Sequence, residues 1–186
     1  MGEQVLSRIR QMLAQAGVPY REITHPPTFT SVESAAARGE ELGVGAKALL
    51  LRTDDVFRLF VVPADKRLDS AAVRDHLGLK GLRFATRQEL DEATGLVPGA
   101  VPPFGEPILP FELFADLSIG AAHDKVAFNA GALTVSIVSP LPIGKWSLGP
   151  AAFVWPCSNP LWARGASTRR SWRWPNWTIG RRPDRR

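Results

Sequence analysis

Residues 43–62 read GVGAKALLLRTDDVFRLFVV, and the fold is decided here. Two runs rich in Leu, Val and Phe, Ala46–Arg52 and Phe57–Val62, flank the acidic pair Asp54-Asp55. Short apolar runs joined by a turn dipeptide predict two strands that pair back on each other. The glycines that open the stretch look faintly like a phosphate loop. However, they precede the strand, where such a loop follows one, and no Gly-Lys-Ser/Thr closes the motif. Binding of a nucleoside triphosphate is not expected.

Working outward, Val5, Leu6, Ile9, Met12, Leu13 and Ala16 recur at helical spacing, and Gly17 stops that helix. Val18–Ile23 reads as a short strand ended by Pro26-Pro27. Thr30 with Glu33 forms a capping box for an Ala-rich helix over Ser31–Arg38. Downstream of the hairpin, Asp69 caps a helix that runs to Leu77 before Gly78, and Leu82–Ala85 reads as a strand. Thr86 and Glu89 make a second capping box, for a helix reaching Thr94. Residues 95–105, GLVPGAVPPFG, hold three glycines and three prolines and read as a structured loop. Ile108–Asp116, Lys125–Ala130 and Leu133–Val138 complete the strands. Helices and strands mix without strict alternation, which predicts an α+β fold with a mixed sheet.

Composition divides the chain. Its net charge of +5 conceals 14 Lys/Arg against 17 Asp/Glu in residues 1–138 and 9 against one in residues 139–186. All six tryptophans and the single cysteine, Cys157, lie in the second part. One cysteine excludes an internal disulfide and a thiolate zinc site, and His25, His76 and His123 lack metal-ligand spacing. No apolar run is long enough for a membrane span, and the N-terminal pattern is not that of a signal peptide. The expectation is a cytoplasmic domain over 1–138 with a poorly ordered or aberrant Pro/Trp/Arg-rich tail over 139–186. That tail admits three readings: translation out of frame, an RNA-binding arm, or a membrane-surface segment.

Few residues carry obvious chemistry; there is no Gly-x-Ser-x-Gly elbow and no His-Glu-x-x-His. Lys47 opens an apolar strand. It is either a strand-end lysine reaching for water or a fixed ammonium at a cleft mouth. The 95–105 loop is either a plain connection or a rigid wall whose glycines let backbone N–H groups approach a ligand. Asn129-Ala130-Gly131 could place an amide in a pocket or form a hairpin turn. His25 reads as a surface or satisfied core histidine rather than a general base.

In this order, GVGAK-ALLLR, TGLVPGAVPPFG and VAFNAG, preceded by HPPTFTSVESAA, resemble the YbaK/ProX aminoacyl-tRNA deacylases over residues 3–138. These are free-standing relatives of the editing domain of bacterial prolyl-tRNA synthetases, and the motifs are more similar to the YeaK-like branch. The resemblance implies a mixed, partly rolled β-sheet flanked by helices, with a pocket for the 3′-terminal aminoacyl-adenosine. It puts the functional lysine on Lys47, the glycine-rich loop on Gly95, Pro98 and Gly99 beside Pro103 and Phe104, and the pocket wall on Asn129 and Gly131. It implies hydrolysis of mischarged tRNA carrying a small amino acid, Ser or Thr first and Ala or Cys next, with no metal or organic cofactor. Mischarged tRNA, and with it a synthetase, are the implied partners, with no membrane. The alternatives are a non-catalytic module that binds tRNA or a synthetase, and nucleic-acid binding through the basic tail. Family members normally follow the last strand with a short acidic-aromatic helix, whereas here the sequence turns at about Ser139 into the Pro/Trp/Arg-rich stretch.

Overall fold

The computed structural model describes residues 1–140, 153–155 and 158–159. In chain order these form α1 (Gly2–Gln15), β1 (Arg21–Thr24), α2 (Ser31–Arg38), β2 (Ala46–Thr53), β3 (Val56–Pro63), β4 (Arg67–Leu68), α3 (Ser70–Leu77), β5 (Leu82–Phe84), α4 (Arg87–Thr94), β6 (Glu112–Asp116), β7 (Lys125–Ala132), β8 (Val135–Pro140), β9 (Phe153–Trp155) and β10 (Ser158–Asn159). A 3-10 turn, Leu42–Val44, leads into β2.

The hairpin is the spine. β2 and β3 pair antiparallel from Ala46 opposite Pro63 to Thr53 opposite Val56. Asp54 takes φ 52° at the turn, a conformation that Asp tolerates better than most residues. Its carboxylate accepts hydrogen bonds from the backbone N–H of Lys80 at 3.1 Å and of Gly81 at 2.8 Å. One sheet runs β5-β2-β3-β6-β9, with β6 parallel to both neighbours. A second, antiparallel sheet runs β1-β8-β7 and meets the first at a parallel bridge between Gly45 and Ala127. The fold is α+β, and hydrogen bonding divides its strands between these sheets and the β4–β10 pair.

Apolar periodicity becomes burial as expected. α1 buries Val5, Leu6, Ile9 and Leu13 in a core with Leu59, Phe128 and Ile137, each wholly inaccessible. Phe128 meets Phe104 edge to face, with ring centroids 5.1 Å apart, a favoured aromatic geometry. A smaller cluster of Leu51, Phe60, Val73 and Phe114 includes a ring stack at 5.0 Å. Both capping boxes form, on Thr30 with Glu33 and on Thr86 with Glu89. Asp69 caps α3 through the N–H groups of Ala71 and Ala72.

Several boundaries move. The strand expected from Val18 begins only at Arg21. The strand expected from Ile108 begins only at Glu112, because Ile108 and Leu109 turn back to bond the Gly105 carbonyl. The last hairpin turns at Leu133-Thr134, so β8 starts at Val135 and runs to Pro140, past the boundary drawn at 138. β7 carries an irregularity between Asn129 and Ala132, with Gly131 at φ 87°. Of the tail, Ser139, Pro140, β9 and β10 are described; the remaining readings of 141–186 lie outside the described residues.

Gly131 is fixed twice over. Besides its positive φ, a Cβ there would lie 2.7 Å from the Gly2 carbonyl oxygen and 3.2 Å from the Val5 side chain. Gly131→Ala should therefore cost about 1–3 kcal/mol and lower Tm by several degrees in a thermal melt. Gly17→Ala, at φ 62° with nothing within 4 Å of the added carbon, should cost less. Equal losses would show that the α1–β7 contact does not restrict position 131.

Candidate active site

α2, the start of β2, the Ala64 turn, the Gly99–Val101 segment and β7 enclose a cleft of about 190 Å3. Lys47 lines it at the point where β2 leaves the Gly45 bridge. Its Nζ donates to the Ala64 carbonyl at 3.2 Å and to the Lys66 carbonyl. Burial lowers the Lys47 pKa below its ordinary 10.5; nearby Asp65 opposes the shift, and Arg67 adds to it. Gly45 makes this corner possible. A Cβ there would lie 2.8 Å from the Ala64 Cβ, and the Gly45 carbonyl accepts from Ala64 N–H at 2.7 Å. Gly45 thus serves close backbone approach.

The floor is a buried polar network. Arg38, at the end of α2, donates from Nε to Ser136 Oγ at 2.9 Å and from Nη2 to Asn129 Oδ1 at 2.6 Å. Ser136 Oγ also donates to Asn129 Oδ1 at 2.9 Å and lies 2.7 Å from His25 Nε2. Asn129 Nδ2 donates to the Gly99 carbonyl at 2.9 Å. The 95–105 loop is thereby tied to β7, and the Gly131 N–H makes a second tie to the Ala100 carbonyl at 3.0 Å. Burial pulls the Arg38 pKa down to about 10, opposed by the Glu40 carboxylate. That carboxylate is already paired with Arg21 at 2.9 Å and Lys125 at 2.6 Å. Burying a cation is costly, and here the neutral oxygens of Ser136 and Asn129 offset part of that cost.

Of the expected site residues, Lys47, Gly99 and Asn129 come together on the cleft wall. Gly95, Pro98, Pro103, Phe104 and Gly131 are not among its lining residues. Gly95 is the left-handed cap of α4, its α-carbon against the Met1 side chain. Pro98 is exposed, Pro103 is buried, and Phe104 belongs to the core with Phe128. His25 is a satisfied core histidine, buried and bonded through both ring nitrogens.

Sequence reading missed Thr28, Ser34, Arg38 and Ser136. The one available signal was the four-residue spacing of Ser34 and Arg38, which puts both on one face of α2. An arginine in the last turn of a helix otherwise reads as an ordinary dipole partner. Phe29, on the cleft rim, is 74% exposed.

Comparison with known proteins identifies the family of the fold. A family model described as the aminoacyl-tRNA editing domain matches residues 25–140. The multifunctional Ser/Thr-tRNA deacylase ProXp-y of Escherichia coli (strain K12) is 34% identical over 142 residues, covering 74% of this chain and 84% of that protein. A proline–tRNA ligase of Shouchella clausii is 34% identical over 105 residues, which are 56% of this chain and 18% of the ligase. A crystal structure of a candidate trans-editing enzyme for prolyl tRNA synthetase superposes with TM-score 0.68 at 26% identity, over 83% of this chain and 97% of that one. The chain belongs to the aminoacyl-tRNA editing domain family.

Asn129 joins α2, β8 and the loop. Asn129→Ala removes the acceptor of Arg38 and the donor to Gly99, leaving buried groups unpaired at about 1–3 kcal/mol. Denaturant unfolding should show that loss, and hydrogen exchange at the Gly99–Val101 amides should quicken. An unchanged midpoint would mean that the network does not hold the loop.

Proposed function

We propose that Lys47 and the Arg38–Asn129 network work in the hydrolysis of small, wrongly attached amino acids from tRNA. The chain is an aminoacyl-tRNA deacylase acting in trans. Serine and threonine are its first substrates and alanine or cysteine the next. The observation that carries the residue roles is the half-buried Lys47 ammonium on the wall of a small cleft.

An aminoacyl ester is already activated, so its hydrolysis depends on a positioned water and on stabilising the developing oxyanion. An ammonium has three donors. Two are held by the Ala64 and Lys66 carbonyls, and the third is left for substrate. Held in this way, Lys47 needs little reorganisation to meet negative charge on the ester carbonyl or on the terminal phosphate. Water adds to the ester carbon; the ribose oxygen leaves with a proton, and the free amino acid departs. Gly99 and Val101 bring backbone to the same cleft, and the cavity of about 190 Å3 suits a small side chain. A pocket by itself separates side chains differing by a methylene by only about 1–3 kcal/mol, which is why a second, hydrolytic site benefits synthesis.

The tRNA body needs cations, and the acidic balance of residues 1–138 leaves few. Arg10 is taken up by Glu22 at 2.8 and 2.5 Å, and Arg83 by Glu89 at 2.7 and 2.6 Å. Lys66 and Arg67 have no ion pair among the described residues, and they adjoin the carbonyl that holds Lys47. They are the phosphate contacts of this reading, which places the chain in the cytoplasm beside a synthetase. Among the described residues no helix is long and apolar enough to cross a membrane.

The assay is release of amino acid from Ser-, Thr-, Ala- and Cys-charged tRNA, with the correctly charged tRNA as control. Seryl- or threonyl-tRNA should be cleaved and the control spared. Lys47→Ala should abolish turnover without unfolding the chain; undiminished hydrolysis would remove Lys47 from the mechanism. Because the ammonium is the active form and burial lowers its pKa below 10.5, wild-type kcat/KM should fall on the alkaline side with an apparent pKa below that value. Replacing both Lys66 and Arg67 with Ala should flatten the salt dependence of log kcat/KM by about 1.5 in slope. An unaltered slope would place the phosphates elsewhere.

A further inference from the structure

α2 presents two incomplete hydrogen-bonding groups to the cleft, one turn apart. Ser34 is buried, and its hydroxyl donates to Thr28 Oγ1 at 2.8 Å. Its oxygen still has lone pairs, and nothing among the described residues donates to it. Arg38, four residues on, uses Nε and Nη2 on Ser136 and Asn129. Its Nη1 has no acceptor among the described residues, although the whole residue is only 7% exposed. Both side chains line the cleft that holds Lys47. A buried acceptor and a buried donor one helical turn apart on the same cleft are costly when empty and complementary to a group that both donates and accepts.

We infer that Ser34 and Arg38 are the specificity-determining pair of this cleft, reading the side-chain hydroxyl of a bound seryl or threonyl group. The inference rests on the deacylase reading and deepens it. The substrate hydroxyl donates its proton to Ser34 Oγ, and its oxygen accepts from Arg38 Nη1. The Ser34→Thr28 bond, continued by Thr28 Oγ1 donating to the Leu133 carbonyl at 3.4 Å, orients the Ser34 lone pairs toward the incoming donor. The Arg38 fork is locked by Ser136 and Asn129, so its remaining donors are in place before substrate arrives. An alanyl group would leave both unpaired. Discrimination of this kind, by unmet hydrogen bonds, exceeds what shape alone achieves for side chains of nearly equal size.

The test uses the full chain and one tRNA body charged in turn with Ser, Thr and Ala. Ser34→Ala should lower kcat/KM on the seryl and threonyl forms about ten- to hundredfold and leave the alanyl form within about twofold. Ser34→Thr, which keeps the hydroxyl, should restore much of the preference, and thermal melts establish that each variant is folded. Ser34 losses shared equally by all three charged forms would mean a structural role and overturn the proposal. Arg38→Lys, with its planar fork gone, should likewise narrow the seryl-to-alanyl ratio if it folds. Calorimetric binding of non-hydrolysable 3′-amide-linked seryl- and alanyl-adenosine separates this proposal from the reading beneath it. If wild type prefers the seryl amide and Ser34→Ala does not, the hydroxyl site stands even where no tRNA is cleaved. If wild type cleaves seryl-tRNA but Ser34→Ala keeps its preference in both assays, the deacylase stands and the hydroxyl site falls. Equal wild-type affinity for the two amides also overturns it.

Discussion

The Arg38 guanidinium is the interaction on which the site depends. It sits at the last residue of α2 and grips Ser136 on β8 and Asn129 on β7, while Asn129 in turn holds the Gly99 carbonyl. One buried cation thus sets the distance between a helix, two strands and the loop that walls the cleft. Most of its partners are neutral oxygens, and the nearby carboxylate, Glu40, is engaged by Arg21 and Lys125. A charge in such surroundings is tolerable only while the surrounding geometry is kept, which makes the network a constraint on shape as much as a source of stability.

Lys47 is held by the same logic on the other side of the cleft. It stands near the start of β2, and the turn that follows the paired strand β3 returns the carbonyls of Ala64 and Lys66 to its ammonium. Gly45 permits that return, because any side chain would meet Ala64. Lys47 from β2 and Arg38 from the end of α2 therefore approach one small volume, beside the Gly45–Ala127 bridge where the two sheets touch. Burial strips hydration from both cations, and the Asp65 and Glu40 carboxylates offset that cost only in part. A site with that cost favours negative charge developing within it, as the oxyanion of ester hydrolysis does.

Most of the framework was legible because it obeys local rules. The apolar period of α1, the two Thr/Glu capping boxes, the Asp69 cap and the acidic turn of the hairpin each appear in the structure where residue type and spacing placed them. What slipped was decided by contacts distant in sequence. Ile108 and Leu109 look like strand residues, yet they bond back to Gly105 and pack into the core. The β7 irregularity at Gly131 follows from the close approach of α1, well over a hundred positions away along the chain and invisible to any local pattern. The site divides in the same manner. Lys47, Gly99 and Asn129 carried a motif resemblance, whereas Ser34, Arg38 and Ser136 are ordinary helix and strand residues until tertiary contact buries them together.

The sequence by itself determined the α+β class, the hairpin at its centre, the caps and stops of its helices and the family to which the motifs belong. These depend on side-chain period, turn chemistry and capping, all of which act within a few residues. Only the tertiary structure decided which of the marked residues share a cleft. It sent Phe104 to the core, Gly95 to a helix cap and Gly131 to a backbone contact, and it gathered Arg38, Asn129 and Ser136 from three elements. Burial and hydrogen-bond satisfaction are properties of the assembled interior, and no short stretch of chain contains them.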